Sequence, residues 1–334
     1  PRRAEPCTPK ELFCSLVVDA EENVAFVECA FDFVRSILRK ASRPEVPSGE
    51  PMAYLEAQIA SALRSLEPVR AGVDVRQDAL RVVREFAPLG LTDGVWLRGA
   101  MLANMIETEV GLSLLKQMMI RFGDPGLGEA YSQRYASLLR SVGVAPDEMT
   151  RWQRSGESGC SAASYEYALL GVGLGLFPST FALETVGFNL WMATLGPCPL
   201  LERLAGGLRP SGASLRYLDE FDRAELSTLA RQTVLHALRE FEHMPALARI
   251  SRGFEAAQKA YLRWQRSVTG AGTALAGAYT APAEARALEA FAFERYGQLP
   301  NAALYHAFAN SDRYPSIGLF GRAFVMLKFR SMTT

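Results

Sequence analysis

The chain has 334 residues, with 36 basic and 36 acidic side chains that leave no formal net charge. That length allows one large domain or two ordinary ones, with an ample core. An even charge balance without a clustered Lys/Arg block excludes the electrostatic footprint of a nucleic-acid binder.

Helical periodicity runs through the chain and strand-like alternation is nearly absent, so the reading is all-α. Apolar positions from Phe13 to Leu38 make one or two amphipathic helices within Lys10 to Lys40. The proline-rich stretch Ser42 to Pro51 reads as a loop, followed by helices over Met52 to Leu66 and Gln77 to Phe86, the latter ending at Pro88. Leu91 to Phe122 reads as the longest helical tract, stopped by Gly123-Asp124-Pro125-Gly126. Leu127 to Val142 is helical again.

The stretch Tyr167 to Phe177 is too short to span a bilayer and predicts a buried helix. Its glycines, Gly171, Gly173 and Gly175, lack the Lys-Ser/Thr of a phosphate loop and instead suit close helix packing. Thr180 to Leu195 follows, closed by Gly196-Pro197, and another helix runs from about Asp222 to Met244. Pro245 kinks or breaks it before Ala246 to Val268 resumes. Ala283 to Tyr296 reads as a further helix in an otherwise irregular tail. The division is therefore a single helical domain, with accessory helices over 1–76, a core bundle over 77–268 and a C-terminal extension over 269–334.

The five cysteines, Cys7, Cys14, Cys29, Cys160 and Cys198, are scattered and never form a Cys-x-x-Cys pair. The first residues lead into an acidic segment rather than an apolar run, which predicts no secretory signal and a cytoplasmic location, with no membrane partner.

Two of the three histidines share one short stretch, His236 to His243. On a continuous helix at about 100° per residue, Glu240 and His243 point within roughly 40° of His236. Two imidazoles and a carboxylate on one face are ligand types that suit iron or zinc; the competing reading is a solvated face. Glu184 is the lone charge from Leu169 to Leu201, so burial there demands a cation or an arginine partner. Glu107 and Glu109 cannot share a helix face, and at most one of them points inward.

The order of Phe86-Ala87-Pro88-Leu89, Asp93-Gly94-Val95-Trp96-Leu97, Phe122-Gly123-Asp124, Tyr135, Leu138-Leu139, Val142-Gly143-Val144, Phe177-Pro178, Phe181, Glu184 and Gly187 to Leu190 resembles the heme-oxygenase-like diiron oxidase family. The resemblance implies a heme-oxygenase-like helical bundle with extra N-terminal helices. It further implies a cytoplasmic, homodimeric, oxygen-dependent non-heme iron oxidase acting on a small amino-acid-derived metabolite. Glu184 matches one family ligand, and His236, Glu240 and His243 match the last ligand helix. Arg121 and Tyr131, however, stand where a glutamate and a histidine are expected. A cation at Arg121 would repel a metal, and could instead pair with Glu184 or Glu240 or hold a substrate carboxylate. Tyr131 or Tyr135 would donate a hydrogen bond or an electron.

Three arrangements stay open: a mononuclear iron site, a diiron site rebuilt with Glu107 or Glu109, or a metal-free relative. The last would bind a metabolite or a partner protein, or use His236 or His243 as a general base.

Overall fold

The computed structural model describes residues 7–19, 24–41, 50–66, 75–101, 105, 107–123, 128–144, 160–196 and 198–270. Among the described residues the chain is helical, with no strand. The expected helix over Ala283 to Tyr296 and most of the Ser42 to Pro51 loop lie outside them.

The N-terminal region contains two helices, α1 (Pro9–Asp19) and α2 (Val24–Lys40). At the start of α1, Glu11 Oε2 accepts from the Thr8 amide at 2.8 Å while Thr8 Oγ1 accepts from the Glu11 amide at 3.2 Å. This reciprocal cap satisfies two otherwise orphaned donors. After α3 (Pro51–Ser65), α4 (Val75–Gly90) continues past the predicted stop at Pro88. Proline has no amide to give the Arg84 carbonyl, and the Cys160 thiol donates to that carbonyl instead, at 3.3 Å.

The tract from Leu91 to Phe122 is not one helix. A turn with Gly94 at φ 87° leads into a 3₁₀ segment, Val95–Met101, and α5 (Glu109–Phe122) begins only after Thr108. Thr108 accepts from the Gly111 amide at 2.9 Å, capping the helix. An L-residue at Gly94 would be strained in that left-handed conformation.

Next come α6 (Tyr131–Ser141), α7 (Ala162–Leu176) and α8 (Pro178–Leu195). Helix α7 is apolar all round and is packed on several sides, by α1, α2, α4 and the 3₁₀ segment. Its glycines serve that packing: a Cβ on Gly175 would fall 2.3 Å from the Val95 carbonyl oxygen, and one on Gly173 would fall 2.4 Å from the Val34 side chain. Helices α1 and α2 therefore share the core with the rest of the described chain.

Two short helices, α9 (Pro199–Leu204) and α10 (Arg216–Asp219), lead to α11 (Arg223–Glu240) and the long α12 (His243–Thr269). Here lies the correction that matters most for function. The helix bearing His236 ends at Glu240, with Phe241 extended (φ −117°, ψ 163°), and His243 opens the next helix. Pro245 falls in the first turn of α12, where its missing amide costs nothing. The common face inferred for His236, Glu240 and His243 required an unbroken helix across residues 241–242. No such helix exists.

The interior is formed where α8 packs on α11 and α12, and α11 packs on α5. No helix among the described residues is long and apolar enough to cross a membrane.

Candidate functional site

The sequence-predicted residues fall into three separate environments. His236, half-buried on α11, directs Nδ1 at Glu109 Oε2, and Glu109 is exposed on the first turn of α5. Glu240, also exposed, accepts from the backbone amides of Glu109 at 2.7 Å and Val110 at 3.3 Å. It therefore acts as an anionic cap on the free N–H groups of α5, where the helix dipole favours negative charge. Glu107 is exposed. The side chain of His243 lies outside the described residues.

Glu184 sits elsewhere, with a side chain 4% exposed. It takes a two-point ion pair from Arg249 on α12, Nε to Oε1 at 2.9 Å and Nη2 to Oε2 at 2.6 Å. Arg252 approaches to 3.8 Å, and Arg249 also donates to the Thr180 carbonyl at 2.6 Å. The arginine-paired reading of this lone acid is what the structure shows. The partner is Arg249, not Arg121.

Arg121 does point inward, and its carboxylate is neither Glu184 nor Glu240 but Asp93, with Nη1 2.5 Å from Oδ1. The Tyr217 hydroxyl donates to the other Asp93 oxygen at 2.8 Å. The turn at Asp93-Gly94 makes this pair feasible, because the Gly94 backbone lies directly against the Arg121 stem: a Cβ at position 94 would fall only 3.2 Å from Arg121 Cβ. Around the guanidinium stand Trp96, Phe221 and Tyr131, their ring centroids 4.9, 5.6 and 6.0 Å from Cζ. These distances suit cation–π attraction in a desolvated setting. Arg121 Nε and Nη2 are buried and have no hydrogen-bond partner among the described residues.

Tyr131 is buried beside this group and accepts from the Asp222 amide at 3.3 Å. Tyr135, fully buried, donates to the Val83 carbonyl and packs edge-on against Tyr217 at 4.7 Å. Burial pushes all three phenols, Tyr131, Tyr135 and Tyr217, above their ordinary pKa, so each stays protonated.

Where α5, α8 and α11 meet, the interior is filled by uncharged groups. Trp96 Nε1 donates to Asn189 Oδ1 at 3.1 Å, and Asn189 Nδ2 to Gln117 Oε1 at 2.7 Å. Gln117 Nε2 continues to Thr233 Oγ1 at 3.0 Å, and Thr233 meets Ser113 at 2.7 Å. Each member of this chain is buried and bonded. Among the described residues no group of three or more His, Cys, Asp or Glu side chains is placed to hold a metal ion.

Sequence reasoning missed Asp93, Trp96, Tyr217, Phe221 and Arg249 as members of these clusters. Asp93 carried one readable signal, as a lone acid in an apolar stretch; Arg121 was legible as a cation in need of a carboxylate, but not that the carboxylate is Asp93, 28 residues away.

Comparison with protein-family models, characterised proteins and solved structures finds no match to this chain.

Proposed function

We infer that this is a metal-independent helical protein that binds a small molecule at the buried guanidinium of Arg121. The observation that carries the reading is the pair of unpartnered guanidinium nitrogens, Nε and Nη2, on a side chain with no exposure. Buried donors left unmade cost about 1–3 kcal/mol each, more when the group is charged. A molecule bearing acceptor atoms removes that cost.

The bundle is proposed to be of the heme-oxygenase-like type, with a metal site that has been replaced. Supporting this are the order of motifs from Phe86 to Leu190 and the helical architecture. The iron-dependent oxidase reading needs imidazole and carboxylate donors in one place. Glu184 is instead occupied by Arg249, Glu240 by the α5 amides and His236 by Glu109. An arginine-paired carboxylate and a helix-capping carboxylate would each have to abandon a charge-assisted hydrogen bond to ligate.

Elemental analysis of protein expressed with added iron tests this directly. Less than one iron per ten chains is expected, together with a small organic molecule detected by native mass spectrometry or acquired on screening. Stoichiometric iron, lost on substituting His236→Ala, would overturn the reading in favour of the oxidase.

A further inference from the structure

Resting on that reading, the character of the occupant follows from the charge already present. Arg121 has five N–H groups, and Asp93 engages only the Nη1 end. The Nε–H and the adjacent Nη2–H form the side-on fork with which a guanidinium grips two neighbouring acceptors. Two kinds of partner fit such a fork: a carboxylate, or a flat ring whose edge carries two adjacent acceptors, as a purine offers through its ring nitrogen and carbonyl.

The electrostatics choose between them. Asp93 lies 2.5 Å from the guanidinium, so the buried pair is already neutral. The nearby phenols are held protonated. The second guanidinium of the cluster, Arg134 over the Tyr131 ring at 4.9 Å, faces Glu220 at 3.5 Å. A carboxylate would bring an uncompensated negative charge into a desolvated site, with a large desolvation cost. An uncharged acceptor edge satisfies the same two donors without that cost, and aromatic walls favour a flat ring over an aliphatic body.

A surface cleft adjoins this cluster at Phe221. Phe221 is half-buried on the turn between α10 and α11, which is bolted to α6 where Arg134 donates to the Glu220 carbonyl at 3.0 Å. Its ring both faces Arg121 and lines a surface cleft of about 270 Å³ flanked by the ion pairs Arg223–Glu202 and Arg209–Asp219. Phe221 is thus the side chain that touches both the cleft and the guanidinium.

We propose that Arg121 anchors an uncharged, flat heteroaromatic ligand through two adjacent acceptor atoms, with Phe221 as the movable wall between the cleft and the guanidinium.

The test is calorimetric titration of the full chain with four probes. Hypoxanthine and isatin are uncharged and carry two adjacent acceptors, indole-2-carboxylate carries the charge, and indole carries no acceptor edge. At least one of the first two is expected to bind tenfold or more tightly than the last two. Arg121→Lys, which keeps a cation for Asp93 but removes the fork, should lose that binding at least tenfold. Phe221→Ala, which removes the wall but neither partner of the ion pair, should speed association several-fold.

Tighter binding of indole-2-carboxylate would overturn the uncharged class while leaving interior binding intact. If no probe binds and a crystal soaked with hypoxanthine shows only water on Nε and Nη2, both this proposal and the binding reading fall. Should the lysine variant not fold, the soaked crystal decides alone: hypoxanthine must lie within hydrogen-bond distance of the fork.

Discussion

Buried charge in this protein is handled pair by pair, and each pair makes a separate prediction. Asp93 is the sole carboxylate on Arg121 among the described residues, so Asp93→Asn leaves a guanidinium buried with a neutral partner. The expected loss is about 3–5 kcal/mol, the usual consequence of breaking a buried pair from one side. Urea unfolding followed by circular dichroism measures it; a change under about 1 kcal/mol would show that water reaches the guanidinium. Glu184→Gln is expected to cost less than Asp93→Asn in the same assay, because Arg249 is about a third exposed and can turn to solvent when unpaired.

The capping pair at α1 gives a pH dependence. Hydrogen bonds from the Thr8 amide and hydroxyl hold the Glu11 carboxyl below its ordinary pKa. A group with a depressed folded-state pKa contributes stability above its unfolded pKa, and that contribution is lost as pH falls through the folded value. Between about pH 5 and pH 3, therefore, the parent should lose slightly more stability than Glu11→Gln, which has no proton to take up. Parallel melting curves across that range check the sign.

Among the elements, the crossing of α8 and α12 is the tightest joint. A Cβ on Gly187 would come within 1.9 Å of the Ile250 carbonyl oxygen, and one on Gly253 within 2.0 Å of the Glu184 carbonyl oxygen. Backbone faces backbone there, so no flexible side chain can move aside. Gly187→Ala and Gly253→Ala are each expected to destabilise by about 1–3 kcal/mol or more, despite alanine's better helix propensity. A stabilised alanine variant, measured by thermal melting, would refute the close approach. The same crossing brings Arg249 to Glu184, which explains why a lone acid is tolerated in so apolar a helix.

A second joint is the α5–α11 pair. There the amide–hydroxyl chain through Gln117 and Thr233 lies inside, and the Glu240 cap and the His236–Glu109 contact lie outside. The outer contacts fasten the two helices together.

At the scale of the whole molecule, stability rests on the core and its buried pairs. EDTA is accordingly expected to leave the melting temperature unchanged within about 1 °C, whereas a resident metal would stabilise the folded state by mass action. A fall of several degrees, restored by ferrous iron but not by magnesium, would return the oxidase reading to first place.

By itself the sequence determined the helical class, because a 3.6-residue apolar period needs no knowledge of distant contacts. It also showed that the glycines of α7 belong to packing, and that Glu184 needed a cation. It could not show which cation, since Arg249 and Arg121 are equivalent candidates until α12 is laid across α8. Nor could it place the break at residues 241–242, where one helix ends and Pro245 enters the first turn of the next; periodicity continues across a break that changes direction. The tertiary structure alone decided that His236 meets Glu109, that Arg121 meets Asp93, and that the centre of the bundle is a chain of amides and hydroxyls. Those are contacts between residues far apart in sequence, set by the angles at which helices cross, and no local spacing encodes them.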